Sequence, residues 1–160
     1  MAVEVYELSN GLRVYVDRRD ADTVGIAVAV GVGSIYEEPE KRGITHLVEH
    51  MLFKSNKKYS AKEISSIIEF SGGEANAFTS RDALIIVVEV LPGVVAKVVD
   101  VLYHMYVNDR FLGEEFEKEK QIVVTEVKGY MNNPEEWIGH LGLIALFGKS
   151  DYGDPCTGYP

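Results

Sequence analysis

Alternating apolar and polar residues at the start of the chain predict strands. Residues 3–8 and 12–16 both alternate as half-buried strands do. The pair Asn10-Gly11 lies between them and is typical of a two-residue hairpin turn. A run rich in valine and glycine over residues 24–32 predicts a third, more buried strand. Residues 74–79 and 83–90 predict two further strands around a polar turn at residues 80–82.

Helical spacing of apolar residues predicts five helices, over residues 43–53, 60–70, 92–107, 113–131 and 134–147. Ser60 and Glu63 form a capping-box pattern, Thr45 is a candidate cap for the first helix, and Pro92 and Pro134 suit the first turn of theirs. The third helix is expected to bury a set of apolar side chains: Val94, Val95, Val98, Val99, Leu102 and Met105.

Strands and helices occur in groups and do not alternate strictly. This favours an α+β fold in which a mostly antiparallel sheet carries helices packed on one face. The last residues, 148–160, are rich in turn formers and predict no element. The 160 residues are expected to form one domain or a large part of one.

Charge and cysteine content exclude several classes of function. A formal net charge of −9 argues against a nucleic-acid surface and against binding to anionic membranes. Cys156 is the only cysteine, so neither an internal disulfide nor a cysteine-based zinc site is expected. The first residues do not resemble a signal peptide, and the longest apolar run is too short to span a bilayer. A cytoplasmic location is the expectation.

The most informative chemistry lies in the segment His46-Leu47-Val48-Glu49-His50. On a helix, one turn brings the two histidines onto the same face, where neutral imidazoles can share a zinc ion. Glu49 then lies beside the metal and is suited to take a proton from the attacking water. The alternative is an ordinary helix that carries two unrelated histidines.

A catalytic zinc needs a third protein ligand, and the helix over residues 113–131 is the best source. Most of its glutamates lie among lysines, as expected of a solvent-facing surface with pairs such as Glu114 and Lys118. Glu126 instead lies among apolar residues, where a carboxylate is costly unless it is paired or bound to metal. Glu119, two turns earlier, is a weaker candidate, and His104 and His140 are expected to be core or surface histidines.

These residues resemble the N-terminal portion of the inverzincin peptidases, the pitrilysin-type (M16) family that includes the mitochondrial processing peptidase. The first hairpin, the segment 31–34 with Glu37, and the helix over residues 43–53 are all similar to the family pattern. So are Asn76-Ala77-Phe78-Thr79-Ser80, Glu119-Lys120 and Thr125-Glu126-Val127. The resemblance covers nearly the whole chain.

The resemblance implies a zinc metalloendopeptidase that cleaves extended peptides and binds one zinc ion. It implies that His46, His50 and Glu126 are the metal ligands, that Glu49 is the general base, and that Glu119 supports the site. It also implies that Asn76, Ala77 and Phe78 bind an extended peptide, which pairs with them as an added strand. Without the resemblance, these residues would be interpreted as an ordinary strand. The resemblance also implies an enzyme built from two related halves. This chain is therefore expected to be the N-terminal metal-binding part of one half, truncated or in need of a complementary half. The alternative function is that of a non-catalytic scaffold subunit in a processing-peptidase-like complex.

Overall fold

The computed structural model describes residues 3–107, 111–148 and 150–160. These described residues form ten helices and strands, and three short 3-10 turns, Ser34–Tyr36, Pro39–Lys41 and Pro92–Val94, connect some of them. The strands and helices follow in chain order: β1 Glu4–Glu7, β2 Arg13–Val16, β3 Val24–Val30, α1 Ile44–Leu52, α2 Ala61–Phe70, β4 Glu74–Thr79, β5 Leu84–Val90, α3 Val95–Tyr106, α4 Gly113–Asn132 and α5 Pro134–Phe147.

The core lies on one face of an antiparallel three-stranded sheet with the order β3-β5-β4. Alternate residues of β5 point into this core because successive side chains of a strand face opposite sides of the sheet. Helices α1, α2 and α3 cover that face with apolar side chains. The α+β class is thus confirmed. The buried side chains of β5 and the helices are Leu84, Ile86, Val88, Val90, Leu52, Ile64, Ile68, Val98, Val101, Leu102 and Met105.

Two predictions about burial were wrong. Strand β3 is an edge of the sheet and buries none of its residues fully, whereas the fully buried side chains belong to the central strand β5. In α3, Val99 is 49 % exposed and Val101 is fully buried instead. The α-helix begins only at Val95, after the 3-10 turn, so the helical phase differs from one counted from Pro92.

Strands β1 and β2 form a separate, largely exposed two-stranded sheet. The connection is longer than the predicted two-residue turn. Leu8 N–H donates to Leu12 O at 2.9 Å, which closes a loop of three residues with Gly11 at φ 83°. A three-residue hairpin loop commonly ends on such a left-handed glycine.

Carboxylates and side-chain oxygens cap several helices. At α2 the predicted capping box forms, and the Ser60 side chain and the Ser60 N–H both bond Glu63. At α1 the predicted cap was wrong, because Thr45 lies inside the helix and its backbone N–H is a donor. Both Thr45 N–H and Gly43 N–H donate at 2.7 Å to the buried carboxylate of Glu37. An anion at a helix N-terminus also interacts favourably with the helix dipole.

The segment after α5 packs against the start of α1 without a helix or strand of its own in its described residues, 150–160. Gly43 approaches it so closely that a Cβ there would lie 2.6 Å from Thr157 O, and its φ of 92° also favours glycine. The Arg42 guanidinium forms ion pairs with Asp151 and Asp154 of this segment. In the described residues no helix combines the length and the apolar character that crossing a membrane requires.

Candidate metal centre and substrate edge

Helix α1 presents His46 and His50 side by side, as their spacing of four residues requires. The ring centroids are 4.8 Å apart and the rings are perpendicular. His46 is buried, with 7 % of its surface exposed, while the side chain of His50 is 21 % exposed. The opposite side of α1 packs into the core through Val48 and Leu52, which fixes the direction in which the imidazoles point.

Helix α4 brings the carboxylate of Glu126 to both imidazoles. Its Oε1 lies 3.7 Å from His46 Nε2, and its Oε2 lies 3.4 Å from His50 Nε2. Two zinc bonds of about 2.1 Å at the tetrahedral angle hold their donor atoms about 3.4 Å apart. Across the described residues these three side chains form the one group of His, Cys, Asp or Glu residues with metal-ligand spacing. The donor set and its spacing therefore fit a zinc ion with two nitrogen ligands and one oxygen ligand.

Burial keeps His46 in the form that binds metal. Loss of hydration lowers the pKa of His46 below its usual value, although the Glu126 carboxylate opposes this effect. A neutral imidazole retains the lone pair that a metal needs, and a protonated one does not. The convergence of His46 Nε2, His50 Nε2 and Glu126 thus brings together electron-pair donors, which a divalent cation would stabilise.

Glu119 supports His50 from the side away from Glu126. Its Oε2 lies 3.2 Å from His50 Nδ1, and its Oε1 accepts a bond of 2.6 Å from Lys54 Nζ. With the proton on Nδ1, His50 donates to Glu119 and presents its Nε2 lone pair towards Glu126. Although burial alone raises the pKa of Glu119, the bonds from Lys54 and His50 lower it overall, so the carboxylate stays ionised.

A second contact fixes α4 against the segment that follows α1. The Glu115 carboxylate accepts bonds from Ser55 N–H at 3.1 Å and from Ser55 Oγ at 2.7 Å. Glu115 lies one turn before Glu119, so two consecutive turns of α4 are held to the end of α1. These contacts set the register that places Glu126 opposite the imidazoles.

The prediction that Glu126 lies in apolar surroundings was wrong. Its side chain is 50 % exposed, and the preceding Ile122 is 51 % exposed. The apolar residues that α4 buries here are Val123 and Val127, on an adjacent face. The glutamate that is buried on this helix is Glu119, at 6 % exposure. The outer face of α4 carries the predicted pair of Glu114 and Lys118, which bond at 2.8 Å.

Glu49 lies between the imidazoles and the end of β4. Its Oε2 accepts a hydrogen bond from the Thr79 hydroxyl, the one hydrogen-bond partner that the described residues provide for this carboxylate. Glu49 is partly exposed. The structure thus places a carboxylate on the same helix as the two imidazoles, close enough to His46 to influence its pKa.

Strand β4 forms an edge of the three-stranded sheet and contains Asn76, Ala77 and Phe78. Asn76 is exposed, Ala77 is buried and Phe78 is 51 % exposed. The Ala77 N–H bonds the side-chain oxygen of Asn76 at 2.9 Å. Because β4 ends at Thr79, a chain paired along this edge would lead directly past Glu49.

The other two histidines lie outside the metal-ligand group, as expected. His104 bonds the backbone oxygen of Asp100 at 2.8 Å and packs edge-on against Tyr59 and Tyr103. His140 is 2 % exposed and lies 4.5 Å from the Trp137 ring, and burial lowers its pKa.

Sequence reasoning did not predict the supporting contacts of the residues that hold the site together: Glu37, Lys54, Ser55, Thr79 and Glu115. A charged residue in a loop or on a lysine-rich helix gives no sign of which donor it meets. The one available signal was position, because Lys54 and Ser55 follow the histidine helix directly and Thr79 ends the proposed substrate strand.

The chain is similar to several known proteins. A model of the insulinase family, peptidase family M16, matches residues 13–152. An uncharacterized zinc protease of Bacillus subtilis is 35% identical over 99% of this chain and 38% of its own length. The beta subunit of the mitochondrial-processing peptidase of Dictyostelium discoideum is 33% identical over 83% of this chain and 28% of its own. The crystal structure of a protease from Helicobacter pylori superimposes with a TM-score of 0.92, at 26% identity, over 99% of this chain and 39% of that one.

The chain spans less than two fifths of the length of these relatives. The family model nevertheless covers most of the sequence, from the second strand to the segment after α5. The chain therefore belongs to the insulinase family of peptidases, family M16.

Proposed function

We propose that this chain carries the active site of a zinc-dependent metalloendopeptidase. The observation that supports this most directly is the convergence of His46, His50 and Glu126 at zinc-ligand spacing, with Glu49 alongside. In this proposal the three residues hold one zinc ion and Glu119 orients His50. The names of the relatives, which include several zinc proteases, agree with the proposal.

When bound, the ion supplies Lewis acidity, which makes a water molecule a better nucleophile near neutral pH and polarises the scissile carbonyl. Glu49 is the general base in this mechanism. It accepts the proton of the attacking water and later delivers it to the leaving amine. Glu119 keeps His50 in the required tautomer throughout, since Lys54 and His50 together stabilise its ionised form.

The substrate is an extended peptide that pairs with β4 as an added strand. Asn76, Ala77 and Phe78 lie on an edge strand, and the outer backbone groups of edge strands serve this kind of recognition. The Ala77 N–H, which here bonds the Asn76 side chain, would exchange that partner for the peptide. The exposed ring of Phe78 is positioned to contact a substrate side chain. Pairing would hold the peptide backbone in register beside Glu49.

A second, homologous half completes the enzyme in this proposal, either in the same polypeptide or as a separate subunit. The beta-subunit relative is named as one part of a larger peptidase. Residues 1–160 then form the metal-binding part of one half. A cytoplasmic location stays a prediction of the sequence, as does the absence of nucleic-acid and membrane partners.

Replacement of the base tests the proposed function. The experiment uses the full-length protein that carries this sequence, assembled with its complementary half where that half is a separate subunit. We expect Glu49→Gln to retain zinc but to reduce hydrolysis of a fluorogenic peptide at least about a thousandfold, because general-base catalysis is lost. Glu117→Gln, an exposed glutamate on α4, is the matched control and should be fully active.

Two results would contradict the proposal. Normal turnover by Glu49→Gln would remove this residue from the base role. Stable assembly with the complementary half but no peptide hydrolysis by the zinc-loaded, wild-type protein would favour a scaffold function instead.

A further inference from the structure

The hydroxyl of Thr79 joins the two parts of the candidate active site. Thr79 is the last residue of β4, directly after Phe78, and it donates its hydroxyl proton to Glu49 Oε2. Glu49 lies on α1, between His46 and His50 in the sequence. One hydrogen bond thus connects the helix that carries the proposed base with the strand that carries the proposed substrate edge.

The backbone that follows Thr79 is held in place by two sets of hydrogen bonds. Ser80 N–H donates to Ala83 O at 2.8 Å, which closes the β4–β5 hairpin. The hairpin is itself docked, because Ser34 N–H donates to Ser80 O at 3.1 Å and Ile35 N–H donates to Arg81 O at 3.0 Å. The Thr79 hydroxyl is therefore a fixed donor, and as a β-branched residue Thr79 has few side-chain rotamers.

Glu49 has no other hydrogen-bond partner among the described residues. A glutamate side chain on a helix surface otherwise samples several rotamers, and only some of them direct an oxygen towards the metal ligands. The bond from Thr79 occupies Oε2 and selects among these rotamers. It leaves Oε1 available to accept a proton from water.

We propose that Thr79 is a positioning residue that orients the Glu49 carboxylate and couples it to the substrate strand β4. This inference rests on the proposed function, because it concerns the base of that reaction. A peptide that adds to β4 lies next to the residue that holds the base. Strand pairing and base orientation are thereby set by the same short stretch of backbone.

The expected effect follows from the strength of a hydrogen bond to a charged acceptor. In the assembled enzyme, Thr79→Val keeps the shape of the side chain and removes its hydroxyl. We expect kcat to fall about ten- to hundredfold, which is the range that loss of such a bond supports. KM and zinc affinity should stay within about twofold, because neither the strand edge nor the ligands change. Thr79→Ser retains the hydroxyl and should restore kcat to within about threefold.

A second substitution at position 49 separates orientation of the base from a general structural effect. The Glu49→Asp side chain is one methylene shorter and cannot keep both its place near the ligands and its bond to Thr79. In that background, Thr79→Val should change kcat by less than about twofold, since coupled residues are not additive. A structural role would instead lower kcat equally in both backgrounds.

Thr23→Val is the matched control. Thr23 also donates its hydroxyl to a glutamate, Glu89 Oε1, at 2.7 Å, but on the far end of the sheet. We expect wild-type kcat and KM from this variant. Thermal unfolding and zinc content of each variant show whether it is folded, and Thr79→Ala, which is smaller than valine, replaces Thr79→Val if the latter does not fold.

The outcomes distinguish this inference from the proposed function. If Glu49→Gln is inactive but Thr79→Val turns over like the wild type, the positioning role of Thr79 is overturned and the proposed function stands. If Thr79→Val raises KM or lowers zinc affinity as strongly as it lowers kcat, Thr79 acts on the structure and not on the base. If the wild-type enzyme hydrolyses no peptide, both fail together.

Discussion

The glutamates in the two halves of α4 have different partners. In the first half, Glu115 and Glu119 bond donors of this same chain, namely Ser55, Lys54 and His50. In the second half, Glu126 is half exposed, and two imidazole nitrogens lie 3.4 and 3.7 Å from its oxygens. The helix therefore combines carboxylates that bond donors of the protein with Glu126, which faces the two imidazoles.

This difference separates the glutamates that hold the site together from the glutamate that is proposed to bind the metal. A carboxylate with its own donors stabilises the fold and fixes the helix register. Glu126 instead faces two imidazole nitrogens, and these three groups are all ligand types that bind a divalent cation. Substitutions in the two halves should therefore act on different measurable quantities, and we order the expectations by their effect on zinc affinity.

The largest effect is expected at Glu126. Glu126→Ala removes a proposed metal ligand, so zinc affinity should fall by more than about a hundredfold, which exceeds the usual cost of losing a group that orients a ligand. The free energy of unfolding of the metal-free protein should change by less than about 0.5 kcal/mol, because the side chain is half exposed. Competition with a chelator measures the first and urea denaturation the second. Glu117→Ala is the control, and wild-type zinc affinity in Glu126→Ala would contradict the assignment.

A smaller effect on zinc, with a larger effect on stability, is expected at Glu119. Glu119→Gln weakens the orientation of His50, so zinc affinity should fall about 10- to 100-fold. It also removes the charge partner of Lys54, which should cost about 1–3 kcal/mol of unfolding free energy in the metal-free protein. The same chelator and urea measurements apply.

A double variant sharpens this second expectation. Replacing both partners, as in Lys54→Met with Glu119→Leu, should recover most of the stability because no unpaired charge remains. It should not recover zinc affinity, since His50 Nδ1 still lacks its acceptor. Full recovery of zinc affinity would show that Glu119 acts only through the fold.

At Glu115 we expect an effect on stability with almost none on zinc. Glu115→Ala removes the bonds from Ser55 N–H and Ser55 Oγ, which should cost about 1–2 kcal/mol of unfolding free energy. Zinc affinity should stay within about threefold, because Lys54 and Glu119 still hold α4. A loss as large as that in Glu126→Ala would mean that the two halves of the helix are not separable.

Asp100, on α3, is a carboxylate that bonds donors of the protein. Its substitution should affect stability against unfolding in a pH-dependent way. Lys58 and Tyr59 bond it and lower its pKa to about 2, from an ordinary value of 3.8. Because the folded-state pKa is the lower one, this stabilisation is present above about pH 4 and is lost as the pH falls towards about 2. Asp100→Asn should therefore be less stable than the wild type at pH 6 and equal to it near pH 2. A constant difference across this range in thermal unfolding would contradict the role of its charge.

The sequence predicted the helices and strands and the side-by-side placement of His46 and His50, because both rest on local spacing. The i,i+4 histidines, the Ser60 capping box and the two helices that begin at or near prolines depend only on neighbouring residues. Burial was harder to predict, because β3 is exposed by its place at the sheet edge and Val99 by the phase of α3. Both depend on how distant segments pack.

The supporting contacts could not be predicted for the same reason. Glu37 caps α1, Lys54 meets Glu119 and Thr79 meets Glu49 only after the chain has folded. Glu126 illustrates the limit most clearly. Its position was proposed from apolar neighbours, yet it is half exposed, and the geometry that supports its role is its distance to the imidazoles.

The most direct test of the metal centre is anomalous diffraction at the zinc edge from crystals of the zinc-loaded protein. We predict one peak about 2.0–2.2 Å from His46 Nε2, His50 Nε2 and a Glu126 oxygen, with an open position facing Glu49. The peak should disappear in crystals of Glu126→Ala soaked at a zinc concentration that saturates the wild type alone. A zinc peak elsewhere, or bonded to the histidines with Glu126 turned away, would contradict this account of the site.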